Sequence, residues 1–216
     1  MRVYHATGGW GQGGFARVLR TGANPLTLRP KQQGEMAMAR LPLITSKDQL
    51  APEHHPVAED IIASRGSLQG PFSLFLHSPE LAGRMAHLGA YVRFEGSLDM
   101  RVRVLAAMTV AREFEAAYVW GAQTGAARQR SVPESTIAAI KENRSDGVPA
   151  PDLAVIEFTR ALLRDHRVSE AAAKAMQERL GDDGFIQLTG AIGYYSMLAM
   201  TVNACEMAPA PGADVL

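Results

Sequence analysis

Apolar residues recur along this chain at intervals of three and four, and short turn signals separate the stretches in which they do so. That spacing stacks side chains on one face of an α-helix, whereas a half-buried strand alternates at every second residue. The pattern becomes regular from Met36. Residues 40–43, with Pro42, and 51–56, with two further prolines, read as extended connections. Residues 57–64 predict a short helix ended by Gly66, and Gly70-Pro71 opens the apolar segment 72–76.

Ser78-Pro79-Glu80 predicts a helix start, with serine as cap, proline at the first helical position and an acid in the first turn. Leu81, Met85, Leu88 and Val92 supply its inner stripe, and Gly96 stops it. Ser97 is the expected cap of the next helix, with Asp99 near its positive end. Val102, Leu105, Ala106 and Thr109 face inward from it, and the pattern continues through Phe114, Tyr118 and Ala122 to about Arg128. The expected central pair is therefore 97–112 and 115–128.

Pro133-Glu134 starts a short helix with Ile137 and Ile140 inside, and 145–151 is a turn. Residues 153–165 carry Ile156, Ala161 and Leu163 on a helical stripe. Ser169 caps 170–180, and Gly181-Asp182-Asp183-Gly184 leads into a long apolar helix. No run of four to eight residues alternates with period two between turn signals, so the fold expected is an all-α bundle.

Composition narrows the function. The chain has 216 residues, 47% hydrophobic and 20% charged, which is enough to bury a core without disulfides or metals. Lys+Arg and Asp+Glu are both 22, so the basic excess expected of a nucleic-acid binder is missing and no nucleic-acid partner is expected. A lone cysteine, Cys205, excludes an intrachain disulfide, and no stretch approaches the roughly 18 unbroken apolar residues of a membrane helix. A cytoplasmic protein acting on a small molecule, with no membrane partner, is the expectation.

The first 35 residues differ from the rest. Met1 to Gly34 contain no acid but carry Arg2, Arg17, Arg20, Arg29 and Lys31 around a loose glycine cluster. With no continuous apolar core this is not a secretory signal. It reads as a flexible basic extension, or as a start codon placed too early, ahead of a single domain over 36–216.

Residues 98–103, 105–111 and 118–123 (Tyr118-Val119-Trp120-Gly121-Ala122-Gln123), followed by Ser131-Val132-Pro133-Glu134, resemble the central helix pair of carboxymuconolactone decarboxylase-like proteins. Residues 76–82 resemble the helix start before that pair, and 192–195 with 200–204 are similar to the longer C-terminal half of some members. The resemblance covers about 40–212. It implies an alkyl hydroperoxidase D-like helical bundle that associates as a homotrimer or homohexamer.

The peroxidase branch of that family uses a Cys-x-x-Cys pair, a histidine four residues later and a glutamate on the preceding helix. A thiolate attacks peroxide, a second thiol resolves it, and nearby bases lower the thiol pKa. Here the cysteine positions fall on Ala116 and Val119, the histidine on Gln123 and the glutamate on Val104. Ala and Val are not nucleophiles and Gln does not carry protons as His does, so an inherited peroxiredoxin label would describe ancestry. The decarboxylase branch implies a cofactor-free acid/base site in which cationic groups hold carboxylates. Tyr118 and Trp120 match its pattern, and Val119 and Gln123 depart from it.

Two readings follow: a cofactor-independent enzyme acting on a small lactone or carbonyl compound, of lyase or hydrolase type, and a catalytically silent oligomeric member. The expected pocket comprises Ala116, Tyr118, Val119, Trp120, Gln123 and Tyr194, with Glu115 or His77 as base. Against it stands a core reading, in which Trp120 is buried and Gln123 satisfies a backbone carbonyl or an interface partner. Glu115 has a surface or interfacial ion pair with Arg112 or another arginine as its alternative role, and His77 a backbone hydrogen bond at a helix start. Arg101 and Arg103 read as an anion site or a solvated face. One ring of Tyr194-Tyr195 should face the core, its hydroxyl needing a partner. His54-His55 lack further ligands at metal spacing, so no metal is expected, and Cys205 reads as a small buried hydrophobe.

Overall fold

The computed structural model of the chain describes residues 39–216, and the extension expected over 1–35 lies outside them. Eight α-helices follow one another: α1 (His55–Arg65), α2 (Phe72–Phe75), α3 (Pro79–Ala90), α4 (Met100–Glu113), α5 (Ala117–Gln129), α6 (Glu134–Lys141), α7 (Ala150–Arg164) and α8 (Glu170–Ala204). No strand occurs among the described residues, and the fold is all-α.

Helix α4 is the axis of the bundle. Every residue from Val102 to Ala111 is buried, as a helix surrounded on all sides requires, and α5, α7 and α8 pack around it. Its start is capped by Asp99, whose carboxylate accepts from Arg101 N at 2.9 Å and Val102 N at 3.0 Å. Ser97, the expected cap, instead donates to Asp183 Oδ2 at 3.0 Å and ties the loop to α8.

Arg101 grips buried Asp152 of α7 through Nε to Oδ1 at 3.0 Å and Nη2 to Oδ2 at 2.7 Å. The paired geometry locks the two helix starts together. Arg101 is thus committed to this ion pair, and Arg103 is buried; neither belongs to a solvated face.

Local signals hold well at the helix ends. Pro79 opens α3, Gly66 ends α1 with φ 81°, and Ser169 Oγ accepts from Ala172 N at 3.2 Å. Gly181 breaks α8 at φ 68°, ψ 175°. The stripe expected on α3 is displaced, however. Leu81 and Leu88 are exposed, and the buried face is Ala82, Met85, Ala86 and Gly89.

Beyond α3 the chain makes a five-residue π-turn, Tyr91–Glu95, closed by Gly96 N–H donating to Tyr91 O at 2.8 Å. Such widened turns re-aim side chains and recur at functional sites. By length and composition α8 is apolar enough to cross a membrane, yet 50% of its most apolar window is buried within the fold. Leu188, Ala191, Ile192, Tyr194, Tyr195 and Val202 form its core face. The C-terminal residues fold back over α5, where Asp214 bonds to Thr124 and Arg128.

Candidate functional site

Four segments converge on a cavity of about 230 Å³. The C-terminal end of α1 brings Arg65, and the left-handed Gly66 turns the chain into the loop carrying Ser67, Gln69 and Gly70, ahead of Phe72. The π-turn brings Arg93. Helix α5 contributes Tyr118 with Ala122 and Val119 with Gln123, each pair four residues apart and so on neighbouring parts of one face. Helix α8 contributes Tyr194, Tyr195 and Leu198.

Two glycines make room for the phenols. A Cβ at Gly70 would stand 2.6 Å from Tyr118 Oη, and Gly70 holds φ 73°, where a side chain is strained. A Cβ on Gly89 would overlap the Tyr194 hydroxyl and lie 2.7 Å from Arg65 Nη2.

The site is cationic. Arg65 donates from Nη2 to Ala86 O at 2.8 Å and from Nη1 to Ser64 Oγ at 2.6 Å, and lies 4.3 Å over the Phe72 ring. Its Nε is buried with no hydrogen-bond partner among the described residues. Arg93 stacks 4.8 Å over Phe94. Behind the wall, Arg103 of α4 donates from Nη1 to Tyr195 Oη at 3.0 Å. None of the three guanidiniums forms an ion pair among the described residues, and no carboxylate, histidine or thiol lines the cavity.

The phenols are proton donors at neutral pH. Burial pushes Tyr118 above its ordinary value. Burial also raises Tyr194, with the Arg65 charge pulling more weakly the other way. A desolvated phenol stays neutral because its anion loses hydration.

Of the residues expected at the site, Tyr118, Val119, Gln123 and Tyr194 share this cavity. Trp120 and Ala116 do not. Trp120 is 1% exposed and packs in the core, and Ala116 is fully buried before α5. The face of α5 turned to the cavity is 118, 119, 122 and 123, so Ala122 lines it in place of the expected Ala116 and Trp120.

Both expected bases lie elsewhere. Glu115, at φ 50°, has an 82% exposed side chain facing Arg112 at 3.6 Å. His77 donates from Nε2 to Pro42 O at 2.8 Å. Each thus takes the alternative role weighed for it. Arg65 and Arg93 also line the cavity, without a sequence signal, because they reach it from separate elements, and Tyr195 lines it beside Tyr194. Among the described residues no three His, Cys, Asp or Glu side chains gather as a metal site.

No family model and no curated protein matches the sequence. Solved structures do match in fold. An alkylhydroperoxidase AhpD core, an uncharacterized peroxidase-related protein from Ralstonia eutropha, superposes with TM-score 0.67 at 15% identity, over 82% of this chain and 95% of its own. An uncharacterized peroxidase-related protein from Silicibacter sp. gives 0.65 at 16% identity, over 83% and 97%. The debrominase Bmp8, solved in complex with 2,3,4-tribromopyrrole, gives 0.62 at 16% identity, over 81% and 95%. The chain therefore has the alkylhydroperoxidase AhpD-like fold that the sequence resemblance implied.

Proposed function

We propose that this chain is a carboxymuconolactone decarboxylase-like protein whose cavity takes a small carboxylate-bearing lactone or carbonyl compound and acts on it without a bound cofactor. The observation that carries the reading is the lining of the cavity: Arg65 and Arg93 with no carboxylate in the lining among the described residues, and Tyr118, Tyr194, Tyr195 and Gln123 around the same space. Unpaired guanidiniums recognise carboxylates in a planar, two-pronged way. Protonated phenols and an amide stabilise negative charge as it builds on a bound carbonyl oxygen.

Donors without a base suit loss of CO2 from a carboxylate placed β to a carbonyl or, as in 4-carboxymuconolactone, joined to it through one further C=C bond. The C–C bond breaks, its electron pair passes into the carbonyl as an enolate, and a phenol hydrogen-bonds the new oxyanion. Proton uptake at carbon then completes the reaction. Thiol peroxidase chemistry has no support here, because Ala116 and Val119 stand at the cysteine positions and Cys205 is absent from the lining.

A specific observation favours the second reading, a catalytically silent binding member: the two expected bases, Glu115 and His77, are both absent from the cavity lining. Either role accords with a homotrimer or homohexamer, for which exposed Leu81, Leu88, Phe94, Ile186 and Met200 offer apolar surface.

Assay of the purified chain with 4-carboxymuconolactone, and separately with cumene hydroperoxide and a dithiol, tests the function. Lactone turnover that falls about tenfold or more in Tyr118→Phe, with no peroxide reduction, is the expected result. Peroxide turnover lost in Cys205→Ser would overturn it. Carboxylate binding without turnover of the lactone would favour the silent member.

A further inference from the structure

Arg103 is 7% exposed, and its only side-chain hydrogen bond among the described residues runs to a tyrosine rather than to an acid. A buried cation without a counter-ion is costly, and folded proteins normally pair it. The phenol it meets, Tyr195, lines the cavity, and its ring packs edge-on against Tyr194 at 5.3 Å.

A phenol has one proton to give and lone pairs to accept with. Tyr195 Oη uses an accepting position on Arg103 Nη1 at 3.0 Å, and its O–H has no acceptor among the described residues. That proton is free to turn into the cavity. An N–H···O–H···O⁻ chain in low dielectric strengthens along its length, so the positive charge behind the wall reinforces whatever Tyr195 donates to.

We infer that Tyr195 is a hydrogen-bond donor to a bound or developing oxyanion, and that Arg103 is a positioning residue which holds the Tyr195 oxygen and, through it, finds in that oxyanion the countercharge it lacks. Arg65 and Arg93 then hold the ligand's carboxylate, and the Arg103–Tyr195 relay serves a second, separate oxygen. The inference rests on the reading of the cavity as a carboxylate site. It adds a specificity: ligands bearing an enolate or phenolate oxygen in addition to the carboxylate bind more tightly than the carboxylate alone.

Two probes separate the parts. 3-Nitrobenzoate presents only the carboxylate. 4-Hydroxy-3-nitrobenzoate adds a phenol that ionises near neutral pH and changes its visible absorbance when it does. Both are titrated into the full chain and into Tyr195→Phe, Arg103→Met, Arg103→Lys and the double variant Arg103→Met/Tyr195→Phe.

The expected result is that wild type favours the hydroxylated probe and binds it as the phenolate. Tyr195→Phe and Arg103→Met each weaken that probe about tenfold, the range of a hydrogen bond to a charged group, and leave 3-nitrobenzoate within about twofold. The double variant loses no more than either single one, because the two residues act in series, and Arg103→Lys recovers part of the loss.

Equal weakening of both probes by Arg103→Met would mark Arg103 as packing alone and overturn the relay. Unchanged binding of the phenolate by Tyr195→Phe would do the same, and decides the matter even if Arg103→Met does not fold. Failure of wild type to bind 3-nitrobenzoate would overturn the carboxylate reading itself and the relay with it.

Discussion

Gly89 of α3 leaves open the space that the Tyr194 hydroxyl of α8 occupies. A methyl group placed on Gly89 would overlap that oxygen and crowd Arg65 Nη2 at 2.7 Å, so one missing side chain sets how closely α3 approaches the cavity wall.

Gly89→Ala therefore tests the close approach. Alanine in a helix interior normally gains about 0.5 to 1 kcal/mol over glycine, but here two side chains must move, and overpacking costs about 1 to 3 kcal/mol. The overpacking term wins, so urea unfolding of Gly89→Ala should show a lower midpoint than wild type. Gly190→Ala, where the added methyl meets nothing within 4 Å, should raise the midpoint. The same sign for both substitutions would refute the packing account.

The Arg101–Asp152 pair predicts a second stability effect. Asp152 is almost fully buried, and its carboxylate takes both guanidinium bonds. Removing one partner of such a pair strands the other charge. Asp152→Ala should lose about 3 kcal/mol in denaturant unfolding at neutral pH, the low end for a buried pair because Arg101 is partly exposed, and the double variant Arg101→Met/Asp152→Leu should regain much of it. A loss under about 0.5 kcal/mol, the scale of a surface pair, would contradict this.

These sites show what the sequence made legible and what it did not. Helix starts at Pro79 and Ser169 and stops at Gly66 and Gly181 are written locally, since each depends on backbone preferences within one turn. Which face of a helix is covered is decided by partners distant in sequence. The Leu81/Leu88 stripe has the right spacing and stays exposed, because small Ala82, Ala86 and Gly89 let α3 pack closer on their own side. Asp99 displaces Ser97 as cap because Ser97 is drawn to Asp183, 86 residues away in the sequence.

The cavity follows the same division. Tyr118, Val119 and Gln123 share a helix face, so their spacing could place them together. Trp120, placed in the expected pocket, is buried in the core, as the alternative reading of it had it. Arg65 and Arg93 arrive from a helix end and a π-turn, and no pattern in the chain marks either as a neighbour of Tyr194.

Tyrosine ionisation carries an alkaline signature. Burial raises Tyr118 and Tyr194 above the ordinary 10.0. A folded value above the unfolded one contributes stability that is complete below about pH 10 and lost as pH rises through the raised value. Absorbance of tyrosinate should show at least two of the chain's five tyrosines ionising above pH 10, in a phase reduced by Tyr118→Phe and by Tyr194→Phe. One joint transition at the ordinary value would contradict it.

At the acid end, hydrogen bonds from Arg128 and then Thr124 hold Asp214 down at about 2, against an ordinary 3.8. The sign is opposite: the contribution is present above about pH 3.8 and lost as pH falls through about 2. Carboxyl NMR should find Asp214 titrating near 2 in wild type and shifting toward 3.8 in Arg128→Leu. Titration of wild-type Asp214 at 3.8 would show that the C-terminal residues do not hold to α5 in solution.

The central claim is that the cavity is a carboxylate site built on Arg65 and Arg93, and calorimetric titration of 3-nitrobenzoate tests it most directly. Saturable one-to-one binding to wild type, weakened about tenfold in Arg65→Met and again in Arg93→Met, is the predicted result, each loss being that of a hydrogen bond to a charged group. Affinity unchanged in both variants, or no binding to wild type, would contradict the claim.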